Sequence, residues 1–129
     1  MGGTPDMIAV AALATSVVPV GSRVTCFPAP VGTDEDYLVL VPFGKVGQLE
    51  SLLLERGWSV GGSIVVGDTT MMEGFKSWKH GDLNIIATSS HECHGKFMLA
   101  TRIATRLNLM NKGDRIALFQ TILYNRELD

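Results

Sequence analysis

Apolar residues in this chain fall into short continuous runs and stretches of helical spacing, separated by polar, glycine- or proline-containing breaks. Thr4-Pro5-Asp6 has the form of a helix start, with Thr4 able to cap and Pro5 suited to the first turn, so the alanine-rich stretch behind it predicts a helix over 4–15. Residues 17–20 have strand chemistry and end at Gly21-Ser22. Residues 26–32 carry Pro28, Pro30 and Gly32, which interrupt regular pairing and predict a loop. Residues 37–41 form a nearly continuous apolar run, the pattern of a strand buried on both faces. Val46, Leu49, Leu52 and Leu53 recur at helical spacing, and Gly57 stands where a C-terminal cap belongs, predicting a helix over 46–56. A strand is expected over 58–66, with Gly61-Gly62 as a bulge, then a polar turn over 67–73 and a further strand over 82–88. Two helices, 95–109 and 114–125, finish the pattern around Lys112-Gly113.

This order predicts an α+β fold, a small mixed β-sheet with helices packed on one face, forming a single domain over 1–129. The 46% hydrophobic and 19% charged composition suits a packed core rather than a disordered segment. A formal net charge of -2 gives no global positive field toward nucleic acid or anionic membrane. Basic residues nevertheless collect in the second half, at Lys76, Lys79, Lys96, Arg102, Arg106, Lys112 and Arg115. Cys26 and Cys93 are too few for a disulfide framework, and reduced thiols are the simpler expectation. The apolar run over 8–20 is interrupted by Thr15, Ser16 and Pro19 and is shorter than the roughly 20 residues that span a bilayer. No membrane association and a cytoplasmic location are expected.

The candidate chemistry lies where two apolar strands begin. In Thr33-Asp34-Glu35-Asp36-Tyr37, residues two apart share a strand face, so Asp34 and Asp36 are expected to project together while Glu35 points away. Two neighbouring carboxylates repel unless a cation neutralises them, and hard divalent cations take carboxylate oxygens. Asp82 opens the later strand, and three aspartates converge if the two strands are neighbours. Two metal ions held about 4 Å apart can neutralise a triphosphate, orient an attacking hydroxyl and stabilise the leaving group. Gly21-Ser22 would add close backbone approach, an N–H and a hydroxyl.

Gly-Ser after a strand, Asp-x-Asp opening an apolar strand and a lone aspartate on a later strand together resemble the DNA polymerase beta-type nucleotidyltransferase superfamily. The similarity is greatest to its minimal members and to small nucleotidyltransferases encoded by bacteriophages. The core resemblance spans residues 17–88; the phage-like part, carried by 75–88 and 107–120, extends it to about 125. It implies Gly21 and Ser22 cradling a nucleoside triphosphate; apart from the resemblance, Lys79 flanks the approach to Asp82 and is expected as a further nucleotide-binding residue. It also implies Asp34, Asp36 and Asp82 as catalytic, metal-binding carboxylates for Mg2+ or Mn2+. The activity implied is transfer of NMP from an NTP, ATP first among them, to a hydroxyl on a protein, RNA or small molecule. In a phage-encoded protein this would occur in the host cytoplasm. The proline-rich, apolar segment 23–32 departs from the small polar residues usual there and would narrow a nucleotide pocket. The alternative is therefore a catalytically inactive relative that binds and modulates a host protein, and a homodimer completing the cleft is a further expectation.

Plainer roles stand beside these. Asp34-Glu35-Asp36 could be a solvated acidic turn, Asp82 a turn residue after Gly81, and Ser22 a cap of a short helix. His91-Glu92-Cys93-His94 lacks a second ligand pair at structural-zinc spacing and is expected in a surface loop leading into a helix. Cys26 is expected to be an inert loop or core thiol. Lys76, Lys79 and His80 could meet phosphate with Trp78 as a stacking face, or form a cationic edge strand with Trp78 in the core. Asp114 is placed to cap the last helix with Lys112 and Arg115 around it. Met71, Met72 and Phe75 are expected to pack.

Overall fold

The computed structural model describes residues 4–29, 32, 35–60 and 75–124. Helix α1 (Thr4–Leu13) leads into strand β1 (Ser16–Val20), a short helix α2 (Ser22–Thr25) and strand β2 (Glu35–Leu40). A 3₁₀ turn (Phe43–Lys45) opens helix α3 (Val46–Glu55), followed by the short strand β3 (Ser59–Val60). Strands β4 (Lys76–His80) and β5 (Leu83–Thr88) then precede helices α4 (His91–Leu107) and α5 (Lys112–Tyr124). The strands form one mixed sheet in the order β1-β2-β5-β4-β3; β2 and β5 are parallel and the other neighbours antiparallel. The α+β class with a small mixed sheet is therefore observed.

The helices cover both faces of the sheet, not one as expected. Side chains alternate along a strand, and here the alternation divides two cores. Val39 and Val41 with Ile85 and Ala87 pack with Val10 of α1 and Leu49 and Leu53 of α3. Leu38 and Ile86 pack on the other side with Val20, Phe97 of α4 and Leu123 of α5. The physical reason is the unbroken apolar run from Leu38 to Val41, whose four residues are all buried and need cover above and below.

Local signals explain the better-read elements. Gly57, at φ 87, ends α3 in a left-handed turn in which the Gly57 N–H reaches the Leu54 carbonyl (3.2 Å) and the Trp58 N–H the Leu53 carbonyl (3.0 Å). Asp6, in the first turn of α1, then clamps this corner. It accepts from Arg56 Nη1 (2.8 Å) and from Trp58 Nε1 (2.9 Å), and these two bonds, the tryptophan's first, hold its carboxyl below the usual carboxylate range.

Three expectations shift. A strand around Lys76–His80 was expected only as a cationic edge with Trp78 in the core; the strand and the buried Trp78 are seen, but β4 lies inside the sheet, with β3 at its edge among the described residues. Helix α4 begins at His91 instead of 95, because Ser90 accepts from the Cys93 N–H at 3.1 Å and caps it. The cap of α5 is Asn111, which accepts from the Asp114 N–H at 3.2 Å, so Asp114 is a first-turn acid rather than the cap. The strand expected over 58–66 is seen as β3, and its remainder, with 67–73, Met71 and Met72, lies outside the described residues.

Candidate functional site

The N-terminal ends of parallel strands β2 and β5 meet the C-terminal end of β1, so three chain segments converge at one margin of the sheet. Val20 is registered with Asp36, and the next residue, Gly21, turns the chain into α2. Gly21 adopts φ 84 and ψ -173, a region populated essentially by glycine alone. A second reason for glycine is steric. A Cβ on Gly21 would overlap Asp36 Oδ2 and lie 2.9 Å from its Cγ. The Asp36 carboxylate thus occupies the room a side chain would take, against the start of α2.

Across the parallel pair, Asp36 is registered with Asn84, whose Nδ2 donates to Asp36 Oδ1 at 3.1 Å. Asn84 is in turn registered with Lys79 on β4, and Lys79 with Ser59 on β3. Register partners share a face, so Asp36, Asn84 and Lys79 form a polar row on the side of the sheet that carries α4 and α5. With strands spaced about 4.8 Å apart, the Cα atoms of Asp36 and Lys79 lie about 10 Å apart. Asp82 adjoins the same margin: its carbonyl accepts from the Glu35 N–H at 2.8 Å, and its side chain is exposed.

Glu35 faces away from Asp36, as its place in the strand requires. It accepts from the Tyr37 hydroxyl at 2.9 Å and lies 3.7 Å from Arg23 on α2. That hydrogen bond first, and burial second, raise the Tyr37 hydroxyl above its ordinary pKa of 10.0.

Behind α2, the chain is tied to the α4–α5 turn. Asn108, in the left-handed conformation at the end of α4, accepts from the Phe27 N–H (2.9 Å) and donates to the Phe27 carbonyl (3.2 Å). Arg115 Nη1 donates to the carbonyls of Leu109 (2.8 Å) and Met110 (2.9 Å) and to Cys26 Sγ (3.1 Å). Cys26 is buried, as expected of a core thiol. Outside this tie, Val24, Phe27, Leu107 and Met110 are apolar side chains exposed to solvent, Phe27 to 84%.

Of the residues singled out from sequence, Gly21, Ser22, Asp36, Asp82 and Lys79 come to this margin, and Asp34 lies outside the described residues. Among the described residues, no three His, Cys, Asp or Glu side chains gather closely enough to hold a metal ion. Ser22 is the first residue of α2, and the cap position is Gly21, which makes no side-chain bond. Trp78 is 1% exposed, in the core with α1 and α3, and is no stacking surface. The His91–His94 string forms the first turn of α4, where burial and His91 lower the pKa of His94 below 6.5. Sequence reasoning passed over Asn84, whose place beside Asp36 follows from the register of β2 and β5.

No helix among the described residues is long and apolar enough to cross a membrane. Comparisons with protein-family models, curated proteins and solved structures found no match.

Proposed function

We propose that the chain is a metal-dependent nucleotidyltransferase that moves NMP from an NTP, ATP foremost, to a hydroxyl acceptor on a protein, RNA or small molecule. The supporting observation is the fit between Gly21 and Asp36: a carboxylate lodged where any side chain on the preceding turn would collide with it. It joins a Gly-Ser turn to an acidic strand opening, the two halves of the resemblance noted above.

The residues suit a hard divalent cation, Mg2+ or Mn2+. Asp36 has an oxygen turned to Gly21, Asp82 adjoins the same margin with an exposed carboxylate, and Asp34 precedes them in the chain. Such a cation, once bound, supplies charge neutralisation for phosphate and lowers the pKa of an attacking hydroxyl. The chain's own residues do the rest. Gly21 admits close backbone approach, Ser22 offers a hydroxyl beside it, and Lys79, its Cα about 10 Å from that of Asp36 on the same face, brings an ammonium toward phosphate oxygens. The reaction would take place in the cytoplasm, that of the host if the chain is phage-encoded.

Incubation with labelled NTPs and Mg2+ or Mn2+ tests this. Label should pass to an acceptor with the native protein and be absent with Asp34→Ala/Asp36→Ala. Transfer that persists in the double variant removes the mechanism.

One observation favours a second reading, a non-catalytic relative that binds a host protein. Phe27, Leu107 and Met110 are exposed around the Phe27–Asn108 tie, with basic Arg106 and Lys112 beside them in the chain. Under this reading calorimetry shows no Mg2+-dependent NTP binding, whereas Phe27→Ser abolishes a stable protein complex. Tight NTP binding by the isolated chain excludes it.

A further inference from the structure

The row Asp36–Asn84–Lys79 places a neutral amide between an acid and a base on three adjacent strands. We propose that Asn84 is a positioning residue: it fixes the Asp36 carboxylate for a divalent cation. The inference rests on the nucleotidyl-transfer reading and extends it to a residue outside the resemblance.

The chemistry of the position narrows the choice. An aspartate at residue 84 would set a second negative charge directly beside Asp36, and register neighbours of like charge repel. A lysine or arginine would pair with Asp36 and spend its charge on the protein. An apolar side chain would leave Oδ1 without the donor that now meets it at 3.1 Å. An amide donates one N–H and adds no charge. With Oδ1 bound to Asn84 and Oδ2 lying against Gly21, the carboxylate is gripped from two sides and its plane is set before any cation arrives. Residues that orient metal-binding side chains in this way typically contribute 10- to 100-fold to metal affinity or activity.

The strand order sets the distance to the base of the row. Register neighbours lie one strand apart, where a lysine could reach a carboxylate directly; with Asn84 between them, Asp36 and Lys79 are two strands apart, about 10 Å between Cα atoms. That leaves a gap in which a cation-bound phosphate could meet both.

Full-length protein and its Asn84→Ala, Asn84→Ser and Asn84→Asp variants would be titrated with Mn2+ alone, followed by the electron paramagnetic resonance signal of free Mn2+. A second titration would use Mn2+ with α,β-methylene-ATP. Asn84→Ala should weaken Mn2+ binding about 10- to 100-fold and lower kcat more than it raises the KM for NTP, because Lys79 is untouched. Asn84→Ser, which restores a donor, should recover part of the loss. Asn84→Asp keeps the shape but removes the donor and adds charge: its Tm should fall without metal and rise further with Mn2+ than that of the native protein. A purely structural role would shift Tm equally with and without Mn2+. Should Asn84→Ala not fold, the isosteric Asn84→Asp carries the same comparison. Equal Mn2+ affinity in the native protein and the alanine or aspartate variant overturns the role of Asn84 alone. Failure of the native protein to bind Mn2+ with the nucleotide analogue overturns the underlying transferase reading, and this role with it.

Discussion

The carboxylate of Asp36 fills the space into which a side chain on Gly21 would project, with Asp36 Cγ at 2.9 Å and Cβ at 3.0 Å from the place a Cβ would take. Two separate costs therefore fall on Gly21→Ala: backbone strain at φ 84 and the collision itself. Together they should destabilise the fold by about 2–4 kcal/mol. In an Asp36→Ala background the carboxylate overlap is gone and the strain remains with a tight Cβ contact at 3.0 Å, so the cost should fall to about 1–3 kcal/mol. Urea unfolding of the four proteins measures the difference. Strict additivity would mean that the two residues do not share this space.

Lys79 reaches the row from β4, and its side chain is exposed. If it meets phosphate, Lys79→Gln should raise the KM for NTP about three- to tenfold and leave kcat nearly intact. The KM effect should shrink as ionic strength rises, because exposed charges are screened. A fall in kcat with unchanged KM would place Lys79 elsewhere in the reaction.

Much of the fold was legible where a local signal agreed with the burial pattern. Gly57 marked the end of α3 because its φ of 87 is a glycine conformation, and the apolar runs of β2 and β5 marked buried strands. The same runs also carried the information that both sheet faces are covered, which an expectation of one-sided helices overrode. Strand β4 was legible only as one of two readings, and as an edge, because Lys76, Ser77, Lys79 and His80 surround its one large apolar residue, Trp78; its place inside the sheet follows from pairing with distant residues. The start of α4 was hidden because His91, Glu92, Cys93 and His94 look like ligands, although Ser90 was a readable cap. At the site, the acidic and Gly-Ser motifs were visible in the sequence. The part of Asn84 was not, since it depends on which residue of β5 falls beside Asp36, and register is a tertiary property.

Acid should expose the contribution of Asp6. Its folded pKa lies below the ordinary 3.8, so the unfolded chain binds the proton first as pH falls. The stabilisation is complete above that ordinary value and is lost as pH drops through the lower folded value. Asp6→Asn loses two charge-assisted bonds and should cost about 1–3 kcal/mol at neutral pH, with a smaller further loss in acid. Tm measured from pH 7 to pH 2.5 for both proteins checks this. Parallel curves would show that Asp6 contributes nothing to acid sensitivity.

His94 predicts a second pH effect at higher pH. Burial first, and the nearby His91 second, hold its pKa below 6.5, and Nε2 is enclosed without a hydrogen-bond partner. Its position in the first turn of α4 also disfavours a positive charge, since that end carries the positive pole of the helix. Stability from this residue is therefore present above about pH 6.5 and is lost as pH falls through the folded value. His94→Gln should flatten the decline between pH 7 and pH 5, and His91→Gln should not. Equal flattening by both variants would assign the effect to the pair's mutual repulsion.

Arg115 holds the turn between α4 and α5 against the end of α2 through one nitrogen shared among the Leu109 and Met110 carbonyls and Cys26 Sγ. Lysine cannot reproduce this arrangement, because its ammonium lacks the planar, rigid donor array of a guanidinium. Arg115→Met leaves two carbonyls to water and removes the guanidinium that lies 3.1 Å from the Cys26 thiol. The corner should then open locally more often than the sheet does, as segments with few remaining ties generally do. Cys26 is 3% exposed, so its reaction with a thiol reagent reports that opening. Arg115→Met should speed labelling of Cys26 about tenfold or more, equivalent to about 1.4 kcal/mol of lost local stability, and Arg115→Lys should fall between. The second thiol, Cys93, sits in the first turn of α4 at the opposite end of that helix and serves as an internal control. If both cysteines accelerate together, the substitution has loosened the whole fold, and the corner is no separate unit.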